Sequence, residues 1–212
     1  MATADVTVTE LLNDSHGSHG LHQRLLTLCG ITDGTADGAG EAWYVATGTG
    51  HLHAPAAHDL SEGSAVWLPG GMAYEVSGDG LRIIAVTVRA ATTAGAPAEP
   101  HLVRYEDCAP EWTGDRQFRV LLSAGLNVTQ FVGVIPPGRA PEHQHTYDEV
   151  VHVLSGGGVV HLPGGDRPIT PGTSIYLAPG TPHCLENTEA GDLRVLGVFH
   201  PAGSPAAKTV SG

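Results

Sequence analysis

The chain has 212 residues, with 10 Lys or Arg against 22 Asp or Glu, so its formal charge at pH 7 is -12. It therefore lacks the basic surface that binds a phosphate backbone, and we expect no nucleic acid partner. Its 29 Gly and 15 Pro residues separate short runs of Val, Ile and Leu. This pattern favours many short strands and an all-β sandwich or barrel.

The N-terminus and the cysteines bear on the cellular compartment. The first residues, MATADVTVTELLND, lack the basic start and apolar centre of a signal peptide, and no apolar run approaches the roughly 20 residues of a membrane-spanning helix. The cysteines Cys29, Cys108 and Cys184 are scattered and lack a CxxC spacing, which favours a reducing compartment. We therefore expect a cytoplasmic protein that does not bind membranes.

The first half of the chain predicts a flexible lead over residues 1–20, followed by strands at 21–28, 43–46, 65–68 and 81–88. His16, His19 and His22 lie in or next to the lead, where glycines break regular structure. His51 and His53 form an HxH pair on a predicted strand, but no carboxylate follows at a suitable spacing. We interpret this pair as partly exposed strand histidines rather than as an independent metal site.

A boundary is predicted at residues 91–100, ATTAGAPAEP, which have the composition of a linker. This gives an N-terminal domain at 1–90 and a C-terminal domain at 101–212. In the second domain the sequence predicts strands at 118–122, 128–135, 149–154, 159–162, 175–177 and 193–199.

Two motifs in the second half carry the chemistry. Residues 138–156 read GRAPEHQHTYDEVVHVLSG and contain His143, His145 and Glu149. These odd-numbered residues share a face if the segment is extended without a bulge. Residues 172–187, GTSIYLAPGTPHCLEN, then deliver His183 from a turn-rich run. Imidazole and carboxylate ligands suit Fe, Mn, Ni, Cu or Zn.

The two motifs resemble those of the cupin superfamily, with Ala178 standing at a usual proline. The resemblance implies small jelly-roll barrels (double-stranded β-helices) in which His143, His145, Glu149 and His183 hold a metal. We therefore expect one divalent transition metal per chain and favour Fe or Mn, with Ni, Cu or Zn as alternatives.

An internal repeat relates the two halves. Matching residues lie 108 or 109 positions apart, as in Gly30/Gly138, Glu41/Glu149, Gly48/Gly156, Gly63/Gly172, Gly71/Gly180 and Tyr74/His183. The chain thus resembles a bicupin, with two tandem cupin domains. Thr35, Asp37 and Tyr74 stand where the second half has histidines, so we expect the N-terminal barrel to be metal-free.

Alternation also predicts what surrounds the metal. Tyr147, Val151 and Val153 share the face of the ligands. Tyr147 is the candidate for acid/base or orienting work, although a tyrosine at the barrel mouth with its hydroxyl in water would look the same. Gln130 and His161, on neighbouring strands, are further candidates for contacts to substrate or to the metal's surroundings.

Two classes of function remain open at this stage. The resemblance favours a metal-dependent enzyme, foremost a dioxygenase acting on a small substrate with a carboxylate, enol or phenol. A decarboxylase, lyase, isomerase or hydrolase would use the same metal as a Lewis acid. The other class is a non-catalytic module that binds a small ligand. The sequence does not decide between a monomer and a homodimer.

Overall fold

The fold is seen in a computed structural model, which describes residues 5–89, 99–123 and 125–206. Within these residues strands dominate, and the helical elements are two short 3-10 turns, Asp14–His16 and Tyr105–Asp107. The all-β prediction is confirmed. No helix in the described ranges combines the length and the apolar character of a membrane span. Most of the predicted linker, residues 91–98, lies outside the described residues.

One compact unit comprises the described residues up to Cys108 together with residues 125–127. Its strands form one antiparallel sheet in the order β1-β2-β7-β3-β6-β8, with β4 paired to β5 and β7. The bounds are β1 Asp5–Leu12, β2 Leu21–Thr35, β3 Gly40–Thr47, β4 Thr49–Ala54, β5 Ala56–Ser61, β6 Ser64–Pro69, β7 Ala73–Val88 and β8 His101–Arg104.

The start of this unit differs from the sequence-based expectation. The predicted flexible lead instead forms β1, which pairs with β2 from Val6 opposite Leu28 onward. Asn13 then caps the first 3-10 turn by accepting a hydrogen bond from the Ser15 amide at 3.0 Å. The alternating Val and Thr residues of β1 favour extended structure, and this preference outweighs the polar composition on which the prediction relied.

The second compact unit comprises the described residues of 109–123 and 128–206. It has a six-stranded sheet, β16-β13-β18-β11-β10-β9, and a four-stranded sheet, β12-β17-β14-β15. The bounds are β9 Glu111–Thr113, β10 Arg116–Leu122, β11 Thr129–Ile135, β12 Gly138–Arg139, β13 Asp148–Ser155, β14 Gly158–His161, β15 Arg167–Ile169, β16 Ser174–Leu177, β17 Cys184–Asn187 and β18 Leu193–His200.

The core of the second unit lies between these two sheets. Val151 and Val195 of the larger sheet pack in one cluster with Val160 and Ile169 of the smaller sheet. The predicted start of the C-terminal domain at residue 101 is too early. The reason is that β8 pairs with β6 and so completes the first unit.

The two units share a strand order that agrees with the sequence repeat. Strands β2-β7-β3-β6 of the first unit correspond to β11-β18-β13-β16 of the second, and every pair is antiparallel. Glu41 on β3 lies opposite Leu68 and Thr87. Its repeat partner Glu149 on β13 lies opposite Leu177 and Phe199. The two glutamates therefore occupy equivalent sheet positions.

Candidate metal centre

Three histidines from the two motifs meet in the second unit. One ring nitrogen from each of His143, His145 and His183 lies within 4.8 Å of the others. His143 and His183 are joined by an isolated β-bridge with N–O distances of 3.0 and 2.8 Å. Because β13 begins only at Asp148, the continuous strand assumed from the sequence does not form. The bridge rather than strand alternation brings the motifs together.

Hydrogen bonds fix which nitrogen of each ring carries the proton. His143 Nδ1 lies 3.1 Å from the Pro141 carbonyl oxygen, and His183 Nδ1 lies 2.9 Å from that of Thr181. A carbonyl oxygen only accepts, so Nδ1 must carry the hydrogen in both rings. In a neutral imidazole this leaves the lone pair on Nε2, the state that a metal ligand needs. Burial also lowers the pKa of His183, which favours its neutral form.

His145 is held by a side chain instead. Its Nδ1 lies 2.9 Å from the Tyr147 hydroxyl, which in turn lies 3.4 Å from the Ser204 carbonyl oxygen. That carbonyl can only accept, so a hydroxyl that donates to Ser204 accepts from His145 Nδ1–H. The tyrosine ring stacks on the imidazole, with centroids 4.7 Å apart and 12° between planes. These contacts fix the orientation of His145 and leave its lone pair on Nε2.

Glu149 lies beside the three histidines and is buried. Its Oε2 is 3.4 Å from His145 Nε2 and has no hydrogen-bond partner among the described residues. Burial raises the pKa of this carboxyl to about 8. A carboxylate left unpaired at this depth is costly, and a cation held between it and the imidazoles would remove that cost. The residues therefore fit the divalent transition metal that the motifs imply.

The histidines and Glu149 open onto a cavity of about 100 Å³. Its other walls are mostly apolar and include Phe118, Phe131, Leu177, Val195 and Phe199. Gly197 leaves the space that the Phe131 ring occupies, because a Cβ at this position would overlap the ring. The candidate metal site thus faces a small apolar chamber suited to a small molecule.

Comparison with known proteins finds a family match over the part of the chain that carries this site. Residues 131–199 match the family model described as "Cupin domain". The matched residues include all four candidate metal ligands. No curated protein matches the chain in sequence.

Solved structures extend the likeness to more than nine-tenths of the chain. A cupin 2 conserved barrel domain protein from Leptotrichia buccalis is 17% identical with a TM-score of 0.65, over 92% of this chain and 89% of that one. Protein Ylba from E. coli is 18% identical with a TM-score of 0.76, over 93% of this chain and 82% of that one. Oxalate decarboxylase from Bacillus subtilis, a protein with Mn(II) centres, is 12% identical with a TM-score of 0.73, over 94% of this chain and 73% of that one. At these identities the likeness concerns the fold.

The structure brings some of the predicted substrate contacts to the cavity and not others. Val151 lines the cavity, whereas Val153 is buried in the core cluster between the sheets. Gln130 alternates with Phe131 on β11, so its side chain points to the other face of the sheet. His161 instead bridges two carboxylates, with 2.8 Å to Asp166 and 2.8 Å to Glu186. The predictions for Val153, Gln130 and His161 are corrected accordingly.

Tyr147 is placed behind the metal ligands. Its ring lies against His145 on one side and Phe199 on the other, the latter with centroids 4.2 Å apart. Burial raises the pKa of its hydroxyl above the ordinary value, and the hydroxyl already bonds His145 and Ser204. This arrangement supports the orienting role and disfavours proton transfer at neutral pH.

Most of the cavity lining is absent from the sequence-based prediction, including Arg116, Phe118 and Pro205. Arg116 and Phe118 precede both motifs on β10, and Pro205 follows them in the C-terminal segment. Alternation along β10 signals that Arg116 and Phe118 share a face, but only the pairing of β10 with β11 shows that this face looks into the cavity. Nothing in the local sequence marks Pro205.

In the first unit the equivalent of Glu149 is Glu41, which forms an ion pair with Arg24. Glu41 is 1% exposed and accepts from Arg24 Nη2 at 2.7 Å and from Trp43 Nε1 at 2.8 Å. Arg24 lies opposite Ala85 on β7, as Phe131 lies opposite Gly197 on β18. The first unit therefore places a guanidinium beside the glutamate where the second has an aromatic cavity wall.

Three other residues of the first unit that were considered as metal ligands contact neighbouring side chains instead. Asp37 pairs with Arg89 at 3.3 Å, and Tyr74 packs edge-on against Trp43. His51 pairs with Asp59 at 2.9 Å on an exposed surface. Asp37, Tyr74 and His51 thus each contact a neighbouring side chain within the first unit.

Proposed function

We propose that this protein is a metal-dependent cupin enzyme, a dioxygenase-type oxidoreductase that acts on a small molecule bearing a carboxylate, enol or phenol. His143, His145, Glu149 and His183 would hold the metal. The observation that carries the proposal is the convergence of three imidazoles, each hydrogen-bonded through Nδ1, beside a buried Glu149 oxygen that has no hydrogen-bond partner among the described residues. A redox metal bound there would activate dioxygen or the substrate.

Other residues of the second unit orient the ligands and keep water out of the cavity. The backbone carbonyls of Pro141 and Thr181 and the hydroxyl of Tyr147 orient the three rings before anything binds. The walls formed by Phe131 and Phe199 exclude water and receive an apolar substrate body. Chemistry would then take place in a chamber where charges interact more strongly than in water.

The bicupin organisation is part of the proposal. It is supported by the sequence repeat and by the strand order that the two units share. In this arrangement the first barrel has exchanged a metal site for the Arg24–Glu41 ion pair, and catalysis belongs to the second barrel.

The reaction is tested by reconstituting metal-free protein under nitrogen with Fe(II), Mn(II) or Zn(II). Each form is then assayed against a mixture of small-molecule metabolites with and without dioxygen. We expect Fe or Mn to support turnover that consumes dioxygen stoichiometrically and Zn to support none. Full turnover with Zn under nitrogen would replace the dioxygenase with a Lewis-acid decarboxylase, lyase, isomerase or hydrolase. Binding of a metabolite without turnover by any metal form would indicate a ligand-binding module.

A further inference from the structure

Arg116 is a positively charged residue in the lining of the cavity. It lies on β10, two positions before Phe118, so both side chains share a face of the strand, and both line the cavity. The arginine side chain is only 13% exposed. Its Nε is buried and has no hydrogen-bond partner in the part of the chain that the structure describes.

The nearest acidic group does not neutralise this charge. Asp115 Oδ1 lies 3.8 Å from Arg116 Nε, and the aspartate side chain is 79% exposed to water. An ion pair with such a solvated carboxylate contributes little. Glu149 lines the same cavity, yet the described residues contain no ion pair between it and Arg116.

A largely buried guanidinium whose Nε has no hydrogen-bond partner among the described residues would be stabilised by an anion. Arginine stays protonated at every accessible pH, so it cannot relieve the cost of burial by losing its charge. Its planar fork matches a carboxylate, to which it can donate two parallel hydrogen bonds. A phenol or an enol offers a single oxygen and matches the fork less well.

We propose that Arg116 is the substrate-binding residue of this cavity and that the substrate is a carboxylic acid with a small apolar body. The inference rests on the proposed function in taking this cavity as the substrate site, and it selects the carboxylate from the three oxygen donors considered above. The guanidinium binds the carboxylate, and Phe118 and Phe131 contact the apolar body.

The test measures binding without turnover, so that it is independent of the reaction. Isothermal titration calorimetry is carried out on metal-free and on Zn-loaded protein, with the acid/amide pairs acetate/acetamide, butyrate/butyramide and benzoate/benzamide. The variants are Arg116→Met, which keeps length without charge, and Arg116→Lys, which keeps charge without the fork. Arg167→Met is the matched control, because Arg167 is exposed on β15 and does not line the cavity.

In the wild type we expect at least one acid to bind about tenfold or more tightly than its amide, as for a hydrogen bond to a charged group. Arg116→Met should abolish this preference in both preparations, Arg116→Lys should keep part of it, and Arg167→Met should leave it unchanged. If Arg116→Met fails to fold by circular dichroism, the wild-type acid/amide comparison and Arg116→Lys still decide.

Equal binding of acid and amide, unchanged acid binding by Arg116→Met, or no binding of any acid at millimolar concentration would overturn the inference. Its failure is distinct from that of the proposed function. Dioxygen consumption can succeed with a phenol or an enol while acid binding fails. Conversely, acid binding to the metal-free protein can succeed even if no metal supports turnover.

Discussion

Each histidine of the candidate metal centre has its tautomer set by a different acceptor. Two of these acceptors, the carbonyls of Pro141 and Thr181, belong to the backbone and survive any side-chain substitution. The third is the hydroxyl of Tyr147, which a substitution can remove. Tyr147 therefore offers direct experimental access to how the ligands are oriented.

Replacing Tyr147 with Phe should weaken metal binding about tenfold or more, the usual effect of removing a hydrogen-bond partner of a histidine ligand. The ring stack against His145 and Phe199 is retained, so the fold should not change. Competition with a chelator measures the affinity, and Tyr74→Phe serves as control because Tyr74 lies in the first unit. Equal affinities would mean that other contacts orient His145.

Glu149 makes the stability of the metal-free protein depend on pH. Its pKa in the folded state is raised from 4.5 to about 8, so the folded state binds the proton more tightly than the unfolded state does. The resulting contribution to the free energy of unfolding is present at low pH and is lost as the pH rises towards 8. We expect the thermal midpoint to fall between pH 6.5 and pH 8 in metal-free wild type and to change much less in Glu149→Gln.

The lowered pKa of His183 has the opposite sign, because it favours folding as the pH rises through the unfolded value of 6.5. Starting the comparison at pH 6.5 removes most of that contribution. Bound metal should flatten the wild-type profile, since it pairs with the ionised carboxylate. Parallel profiles for metal-free wild type and Glu149→Gln would contradict the account of Glu149.

At the scale of single elements, sequence patterns predict the metal ligands better than the residues around them. The HxH spacing and the downstream histidine mark His143, His145 and His183, because such motifs state both residue type and distance. Val153 shares the face of Val151 but lies further along β13, in the core cluster and beyond the cavity lining. Gln130 faces away from the cavity because of how β11 is placed in its sheet. Those facts come from pairing between distant strands, which a local pattern does not contain.

The same limit applies to whole strands. The strands rich in Val, Ile and Leu were predicted, whereas β1 and the short strands β9, β15 and β17 were not. Short strands such as β17 carry little periodicity of their own. β17 pairs on both sides with other strands, and these pairings determine its position.

The contact between β18 and β11 shapes the cavity. Gly197 on β18 lies opposite Phe131. We expect Gly197→Ala to push the ring aside and to destabilise the protein by about 1–3 kcal/mol, as overpacking does. Chemical denaturation measures the loss, and Gly164→Ala is the control because a Cβ there meets nothing within 4 Å. Similar stabilities for the two variants would show that the Phe131 ring has room to move.

The Arg24–Glu41 ion pair should stabilise the first unit. Arg24→Met would leave Glu41 buried without its cation and should cost about 3–5 kcal/mol. The double variant Arg24→Met/Glu41→Gln removes both charges and should recover much of that loss. A double variant no more stable than the single one would mean that the arginine stabilises mainly through packing.

Across the whole molecule, two units with the same strand order differ in what surrounds the equivalent glutamate. The first unit holds its glutamate with Arg24, and the second leaves Glu149 beside three histidines. The sequence repeat predicts this asymmetry, since Thr35, Asp37 and Tyr74 stand where the histidines would be. It does not reveal Arg24, which lies on another strand and reaches Glu41 only through sheet pairing.

Metal content per chain tests this central claim most directly. Untagged protein is loaded with Fe(II) or Mn(II), dialysed and measured by elemental analysis, alongside His145→Ala and the control His53→Ala. We predict one equivalent in wild type and in His53→Ala, and a sharp loss in His145→Ala with the β signal in circular dichroism retained. Two equivalents in the wild type, or an unchanged content in His145→Ala, would contradict the account.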